Sequence, residues 1–116
     1  MTTKIYHNPR CSKSRQTLQL LTDNNVEPEI IEYLKTPPTK EELTEILTAL
    51  NMTPRQLMRK NEADYKENNF SDEKLSDEHL IEMMVHFPKV IERPIVVNSD
   101  NKFALGRPPE NVLDII

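Results

Sequence analysis

The chain has 116 residues, a length that fits one domain with a genuine hydrophobic core. Its net charge is −4 and 29% of its residues are charged, which argues against a general nucleic-acid binder, because such proteins normally carry a basic face. No stretch approaches the roughly 20 apolar residues of a membrane span, and the N-terminus lacks the apolar core of a secretory signal. We therefore expect a soluble cytoplasmic protein that binds neither nucleic acid nor membranes.

The first third of the chain predicts a strand, a helix and a second strand. Lys4-Ile5-Tyr6 is typical of a short strand, and Asn8-Pro9 of a turn. Apolar residues at helical spacing then predict the buried stripe of a helix. A second strand is predicted over 29–34, ended by Thr36-Pro37-Pro38. The predicted helical stripe consists of Leu18, Leu20 and Leu21.

The middle of the chain predicts three helices. Thr39 and Glu42 form a capping-box pattern that begins the first. Thr53-Pro54 predicts the start of the second, with Arg59-Lys60 near its end, because proline suits the first helical position. The third is predicted to begin at Ser76. The apolar positions are Leu43, Ile46, Leu47 and Leu50 in the first helix and Leu80, Ile81, Met83, Met84 and Val85 in the third, which stops near Phe87-Pro88.

The C-terminal part predicts a hairpin and a last helix. Ile95-Val96-Val97 and Phe103-Ala104-Leu105 indicate two strands around the turn residues 98–101. Pro108-Pro109-Glu110 is expected to begin a helix that packs on the sheet. Its packing residues are expected to be Val112, Leu113, Ile115 and Ile116.

Taken in chain order, the elements run β-α-β, then helices, then β-β-α. This order predicts an α/β sandwich with a helical insertion over about 39–87, within a single domain that spans residues 1–116. The chain has one cysteine, so no internal disulfide forms and the fold does not depend on oxidation. Any redox cycle must therefore take its second thiol from another molecule.

Cys11 lies between the predicted turn and the predicted helix, in the segment 7–15. A free thiol titrates near pH 8.5, and a helix N-terminus with nearby cations lowers that pKa because both favour the thiolate. The amides of a first helical turn also suit an oxyanion. The position predicts an activated nucleophile beside an anion site, although a cysteine packed in a core is the commoner case. The nearby basic residues are His7, Arg10, Lys13 and Arg15.

The histidines do not supply a recognisable metal site. A structural zinc site usually needs four ligands, and His7 and Cys11 are far in sequence from His79 and His86. We therefore expect no bound metal and no resident cofactor.

Five ordered segments carry a resemblance to one protein family. They are His7-Asn8-Pro9-Arg10-Cys11-Ser12-Lys13-Ser14-Arg15, Tyr33-Leu34-Lys35-Thr36-Pro37-Pro38, Leu57-Met58-Arg59-Lys60-Asn61, Glu92-Arg93-Pro94-Ile95-Val96-Val97 and Gly106-Arg107-Pro108-Pro109-Glu110. Together they resemble the glutaredoxin-linked arsenate reductases. The resemblance spans nearly the whole chain and implies a thioredoxin-like fold.

The resemblance implies that Cys11 is the nucleophile and that Arg59, Arg93 and Arg107 bind the arsenic oxyanion. Arginine suits that role because it stays charged and offers a planar fork of donors. The resemblance also implies that Pro94 follows a cis peptide bond beside the active site.

The implied reaction reduces arsenate to arsenite through a covalent adduct between Cys11 and arsenic. Glutathione is the implied co-substrate, and a glutaredoxin resolves the glutathione-bearing state. His7 is expected to favour the thiolate as the imidazolium. Ser14 is expected to assist at the substrate site with a hydrogen bond to the sulfur, or else to serve only as a first-turn helix residue.

Two other functions stay open on the sequence. One is an RNA-polymerase-binding regulator of the same superfamily, although such regulators commonly carry a Cys-x-x-Cys switch where this chain has Cys11 and Ser14. The other is a glutathione-dependent thiol oxidoreductase, whose arginines would recognise the carboxylates of glutathione. The loop around Cys11 is also bulkier and more cationic than in well-studied arsenic-resistance enzymes, since it contains Arg10, Ser12 and Lys13.

Overall fold

The computed structural model of the chain describes residues 2–116, which leaves Met1 outside the described residues. The chain divides into two compact units. The first contains the residues up to Thr36 together with Arg93–Ile116, and the second contains Pro37–Glu92. The insertion expected over about 39–87 therefore corresponds to a unit of 37–92, and the single domain over 1–116 stays a prediction.

The first unit is built on a four-stranded sheet in the order β2-β1-β3-β4. β1 (Lys4–His7) pairs in parallel with β2 (Glu29–Glu32) and antiparallel with β3 (Ile95–Val97), which pairs antiparallel with β4 (Phe103–Leu105). The β-α-β and β-β halves, and the hairpin, are confirmed. β2 ends two residues earlier than predicted, because the chain turns after Glu32, whose carbonyl accepts the amides of Lys35 and Thr36.

Helix α1 (Ser12–Asp23) buries a more polar face than the sequence predicts. Its buried residues are Ser14, Thr17 and Leu21, whereas Leu18 and Leu20 are only half-buried. The Thr17 hydroxyl donates to the Lys13 carbonyl at 2.8 Å, so the buried hydroxyl is hydrogen-bonded. The core beneath the helix contains Ile5, Leu21, Val96, Ala104 and Val112.

The last segment, Pro109–Ile115, is a 3₁₀-helix and not the predicted α-helix. A 3₁₀-helix repeats every three residues, so Pro109, Val112 and Ile115 share one face and are buried or half-buried. The packing expected of Leu113 and Ile116 is wrong, since they are 42% and 44% exposed.

The second unit contains α2 (Lys40–Leu50), α3 (Ala63–Glu67) and α4 (Asp77–His86), with 3₁₀ turns at Pro54–Leu57 and Pro88–Val90. The capping box before α2 is confirmed, as is the start of α4 after Ser76. The helix predicted after Thr53 is only the first 3₁₀ turn, because Met58 is extended and pairs with Ile91. The sequence pattern did not predict α3.

An aromatic cluster packs within the second unit. The Phe70 ring is fully buried, with its centroid 5.5 Å from that of Tyr65 and 6.0 Å from that of Phe87. Leu43, Leu57, Leu80 and Met84 are also fully buried there. Across residues 2–116, no helix is long and apolar enough to cross a membrane.

Candidate active site

The sheet topology brings three separate segments to one end of the first unit. β1 and β4 both run antiparallel to β3, with Tyr6 and Leu105 each paired to Ile95. The segment after β1, the segment before β3 and the segment after β4 therefore lie at the same end of the sheet. These segments contain Cys11, Arg93 and Arg107, so the fold places three of the predicted site residues at one end of the sheet.

Cys11 occupies the N-cap position of α1 with an extended backbone, and it is partly exposed. Asn8 fixes the loop that leads to it. The Asn8 carbonyl accepts the Cys11 amide at 3.0 Å, and the Asn8 side-chain oxygen accepts the Arg10 amide at 3.0 Å. The sequence predicts Asn8 only as a turn residue; in the structure it is also buried, and its two oxygens hold the loop before Cys11.

The surroundings of Cys11 lower the pKa of its thiol. Burial alone would raise that pKa, but the Ser14 amide, the Arg93 guanidinium and the Lys13 amide outweigh it. The predicted direction of the shift is confirmed. The cation that contributes to this shift is Arg93, which is distant in sequence. Lys13, which is close in sequence, contributes only through its backbone amide.

His7 and Ser14 form a buried pair behind the loop. His7 is 5% exposed and Ser14 is fully buried. Ser14 Oγ lies 2.7 Å from His7 Nδ1 and accepts the Asn8 amide at 3.1 Å. Burial, with a contribution from Arg15, lowers the pKa of His7, although Glu32 opposes the shift.

The lowered pKa makes the neutral imidazole the main form of His7 at neutral pH. The expected form was the imidazolium. The neutral ring carries no charge, so it does not stabilise the thiolate through an ion pair. His7 instead bonds the hydroxyl of Ser14, whose amide acts on the sulfur. A catalytic role for His7 and a substrate-site role for Ser14 stay predictions.

Arg93 and Arg107 are close neighbours. Arg107 Nη1 donates to the Arg93 carbonyl at 3.2 Å, and both side chains are partly buried. The peptide bond between Arg93 and Pro94 is cis, as the resemblance implied, and the bond between Arg107 and Pro108 is cis as well. Two arginines thus approach the same end of the sheet as the thiol.

Arg59 lies in the second unit, where it forms two ion pairs. Its Nη1 donates to Glu92 at 2.9 Å and its Nε to Glu62 at 3.3 Å. Neither glutamate is among the site residues that the sequence predicts. The spacing of three residues between Arg59 and Glu62 is the only local signal. Within residues 2–116, no three histidine, cysteine or acidic side chains are grouped so as to hold a metal ion.

The comparisons with known proteins assign the chain to a family. A model of the ArsC family matches residues 6–115. The chain is 55% identical over 114 residues to the uncharacterized protein YfgD of Escherichia coli (strain K12), covering 97% of this chain and 95% of that protein. It is 43% identical over 112 residues to an arsenate reductase of the same strain, covering 97% and 79%. The chain therefore belongs to the ArsC family.

The solved structures agree with this assignment. The structure of an arsenate reductase from Vibrio cholerae matches the chain with a TM-score of 0.93 at 48% identity, covering 100% of this chain and 98% of that one. The predicted family resemblance and the thioredoxin-like α/β fold are confirmed.

Proposed function

We propose that this protein reduces arsenate to arsenite, with Cys11 as the nucleophile. The observation that supports this proposal most directly is the partly exposed thiol of Cys11, whose pKa is lowered in part because Arg93 stabilises the thiolate. The chain is also similar to proteins named arsenate reductase. A thiolate is the form that attacks arsenic, and the guanidinium that favours it is also a donor for an oxyanion.

In the first step, the Cys11 thiolate attacks the arsenic atom of arsenate. A sulfur–arsenic bond forms, an arsenic–oxygen bond breaks, and the oxygen leaves as water after protonation. Arg93 and Arg107 hydrogen-bond the remaining oxygens and stabilise the charge that gathers on them. Arg59 is the third arginine that the resemblance assigns to the oxyanion.

Glutathione then attacks the arsenic and displaces a second oxygen. A glutaredoxin thiolate next attacks the glutathione sulfur, which leaves these two sulfurs joined as a mixed disulfide. The two electrons stay on arsenic, which passes from As(V) to As(III) while still bonded to Cys11. Water then replaces the Cys11 sulfur and releases arsenite. The single cysteine of the chain is consistent with external thiols as reductants, and with a cytoplasmic location where glutathione is abundant.

The test is arsenate-dependent oxidation of NADPH in the presence of glutathione, glutathione reductase and glutaredoxin. We expect turnover by the unmodified protein and a loss of at least about 1,000-fold in Cys11→Ser, because the hydroxyl is a far weaker nucleophile. Omission of glutathione or of glutaredoxin should each stop turnover. Ser99→Ala, in the exposed β3–β4 turn, is the control for a single conservative surface change.

A parallel assay with a small glutathione mixed disulfide separates this proposal from a thiol oxidoreductase. Turnover of the mixed disulfide without turnover of arsenate would overturn arsenate reduction and favour the second function. Inactivity toward both substrates, with a thiol that still reacts with iodoacetamide, would also contradict the proposal.

A further inference from the structure

The segment around Cys11 has a charge balance opposite to that of the whole chain. The protein carries 19 acidic residues against 15 lysines and arginines. Its first acidic residue is Asp23, and every charged lysine or arginine before that point is unmatched by an acid in the same stretch. Three of these cations lie within four residues of Cys11: Arg10, Lys13 and Arg15. The nucleophile therefore lies in a positively charged segment of an acidic protein.

Arg10 and Lys13 carry this charge on exposed side chains. Within residues 2–116, no carboxylate lies within 4.0 Å of either one. Arg15 differs, because its Nη1 donates to the Pro9 carbonyl at 2.9 Å and is used by the loop itself. Arg10 and Lys13 are thus two cations beside the nucleophile that no acidic side chain of the described residues neutralises.

Local effects do not account for these two cations. Arg93 is the cation that lowers the pKa of the Cys11 thiol, and Lys13 contributes only through its backbone amide. Lys13 also lies in the first turn of α1, where the helix dipole makes a positive charge unfavourable. The two charges therefore serve neither an ion pair, nor the thiolate, nor the helix. Their position beside a nucleophile favours an anionic partner from outside the chain.

Glutathione matches this arrangement in charge and in shape. At neutral pH it carries a carboxylate at each end and a single ammonium, so it has a net negative charge. Its thiol lies on the central residue, several bonds from either carboxylate. When the glutathione sulfur reaches the arsenic on Cys11, its carboxylates therefore lie away from the reacting atoms. Long cationic side chains that flank the nucleophile without acting on its sulfur suit those carboxylates.

We propose that Arg10 and Lys13 form a recognition patch for glutathione, in which they bind the carboxylates of the glutathione that attacks the Cys11 adduct. The arginine offers a planar fork of donors to one carboxylate, and the lysine ammonium offers a point charge to the other. This inference rests on the proposed function, which takes glutathione as the thiol that attacks the arsenic adduct. It adds two residues that select an anionic thiol over a neutral one.

The decisive measurement is the rate at which Cys11 reacts with disulfides in the absence of arsenate. The Cys11 thiolate attacks one sulfur of glutathione disulfide, and a bond forms between these two sulfurs. The original disulfide bond breaks, and the other glutathione leaves as a thiolate. The chain has no second cysteine to remove the bound glutathione. The mixed disulfide therefore accumulates, and intact-protein mass spectrometry follows it over time.

Three disulfides of different net charge separate recognition from general reactivity. Glutathione disulfide is an anion at neutral pH, its ethyl ester at both glycine carboxylates is neutral overall, and cystamine is a cation. We expect Arg10→Gln combined with Lys13→Gln to slow the reaction with glutathione disulfide by about tenfold, and each single change to slow it by about threefold. The ester should be slowed by less than about threefold. Cystamine should react faster, because repulsion by two cations is lost.

The matched control is Lys102→Gln, which removes an exposed cation from the same unit. Lys102 directly precedes β4 and lies at the end of the sheet opposite to Cys11. We expect less than about a twofold change with each disulfide. The thiolate absorbance of every variant is titrated, so that rates are compared per thiolate. Arg10→Lys keeps the charge and should retain most of the rate that Arg10→Gln loses.

A change of the same direction and size with all three disulfides would overturn the recognition patch, because it would show a general effect on the thiol. A loss of less than about twofold with glutathione disulfide in the double variant would overturn it too. In the arsenate assay, the double variant should raise the KM for glutathione by about tenfold. A rise confined to the glutaredoxin concentration that gives half-maximal turnover would assign the cations to a protein partner instead.

The disulfide assay contains no arsenate, so the two proposals can fail separately. The expected pattern of rates without arsenate turnover by the unmodified protein would contradict arsenate reduction and support the recognition patch. Glutathione-dependent arsenate turnover without that pattern of rates would overturn the recognition patch and support arsenate reduction.

Discussion

At the scale of single residues, the lowered pKa of the Cys11 thiol depends in part on Arg93, which lies 82 positions away in sequence. The guanidinium of Arg93 offsets the effect of burial, together with the amides of Ser14 and Lys13. A lysine at position 93 would supply charge but not a planar fork. Substitutions at this position therefore separate the two contributions of Arg93.

We predict that Arg93→Ala raises the pKa of the Cys11 thiol toward its ordinary value, because both a hydrogen bond and a positive charge are lost. Arsenate turnover should fall by about 10- to 1,000-fold. The thiolate absorbance near 240 nm, followed as a function of pH, measures the first effect, and steady-state kinetics measure the second. Arg93→Lys should give an intermediate pKa. An unchanged thiol pKa in Arg93→Ala would exclude Arg93 as the stabilising cation.

The sequence predicted a thiol of lowered pKa at Cys11 but not the contacts that lower it. The position of Cys11 before a helix follows from a local pattern, so the loop and the direction of the pKa shift could be predicted. The protonation state of His7 depends on burial, which the local pattern does not show. The same holds for Glu92, which reaches Arg59 only because two distant segments pair.

At the scale of elements, local chemistry explains what was predictable. A capping box with apolar spacing identified α2, and an N-cap serine with apolar spacing identified α4, because these signals are complete within a few residues. The last segment was predicted as an α-helix because proline at its start suits both kinds of helix. The short α3 buries none of its residues, so it carries no apolar period to recognise.

Turns in this chain rely on asparagine. Four asparagines adopt left-handed backbone angles, with φ between 55° and 63°: Asn25, Asn51, Asn69 and Asn101. Asparagine is the residue that tolerates this region best after glycine. The one glycine of the chain, Gly106, is needed for space instead, since it lies against α1 and Pro94.

We predict that Gly106→Ala destabilises the fold by about 1–3 kcal/mol through overpacking. A Cβ at this position would lie 2.6 Å from Thr17 Oγ1 and 2.7 Å from Pro94 Cγ. Urea unfolding followed by circular dichroism measures the loss. Thr17→Ala removes one of the two clashes, so the double variant should lose less stability than the single effects added together. A Gly106→Ala protein as stable as the original would show that Pro94 and Thr17 can shift without cost.

At the scale of the whole molecule, the response of stability to pH is the sum of many titrations, and His7 contributes one with a definite sign. Its pKa in the folded protein is lowered from 6.5 by burial, with Arg15 adding to the shift and Glu32 opposing it. Between the folded and unfolded pKa values, the unfolded chain binds a proton that the folded protein does not. Stability is therefore fully present above pH 6.5 and is lost as the pH falls through the lower, folded value.

We predict that the free energy of unfolding decreases between pH 7.5 and pH 5.5, and that His7→Gln reduces the slope. The contribution of one proton cannot exceed about 1.4 kcal/mol per pH unit, so a larger difference in slope would require another group to be coupled to His7. Urea unfolding at several pH values measures the slope, and the NMR titration of the His7 ring gives its pKa directly. A folded-state pKa above 6.5 would reverse the sign of the His7 contribution. A folded-state pKa above 7 would in addition make the imidazolium the main form at neutral pH, with Nδ1–H donating to the Ser14 hydroxyl.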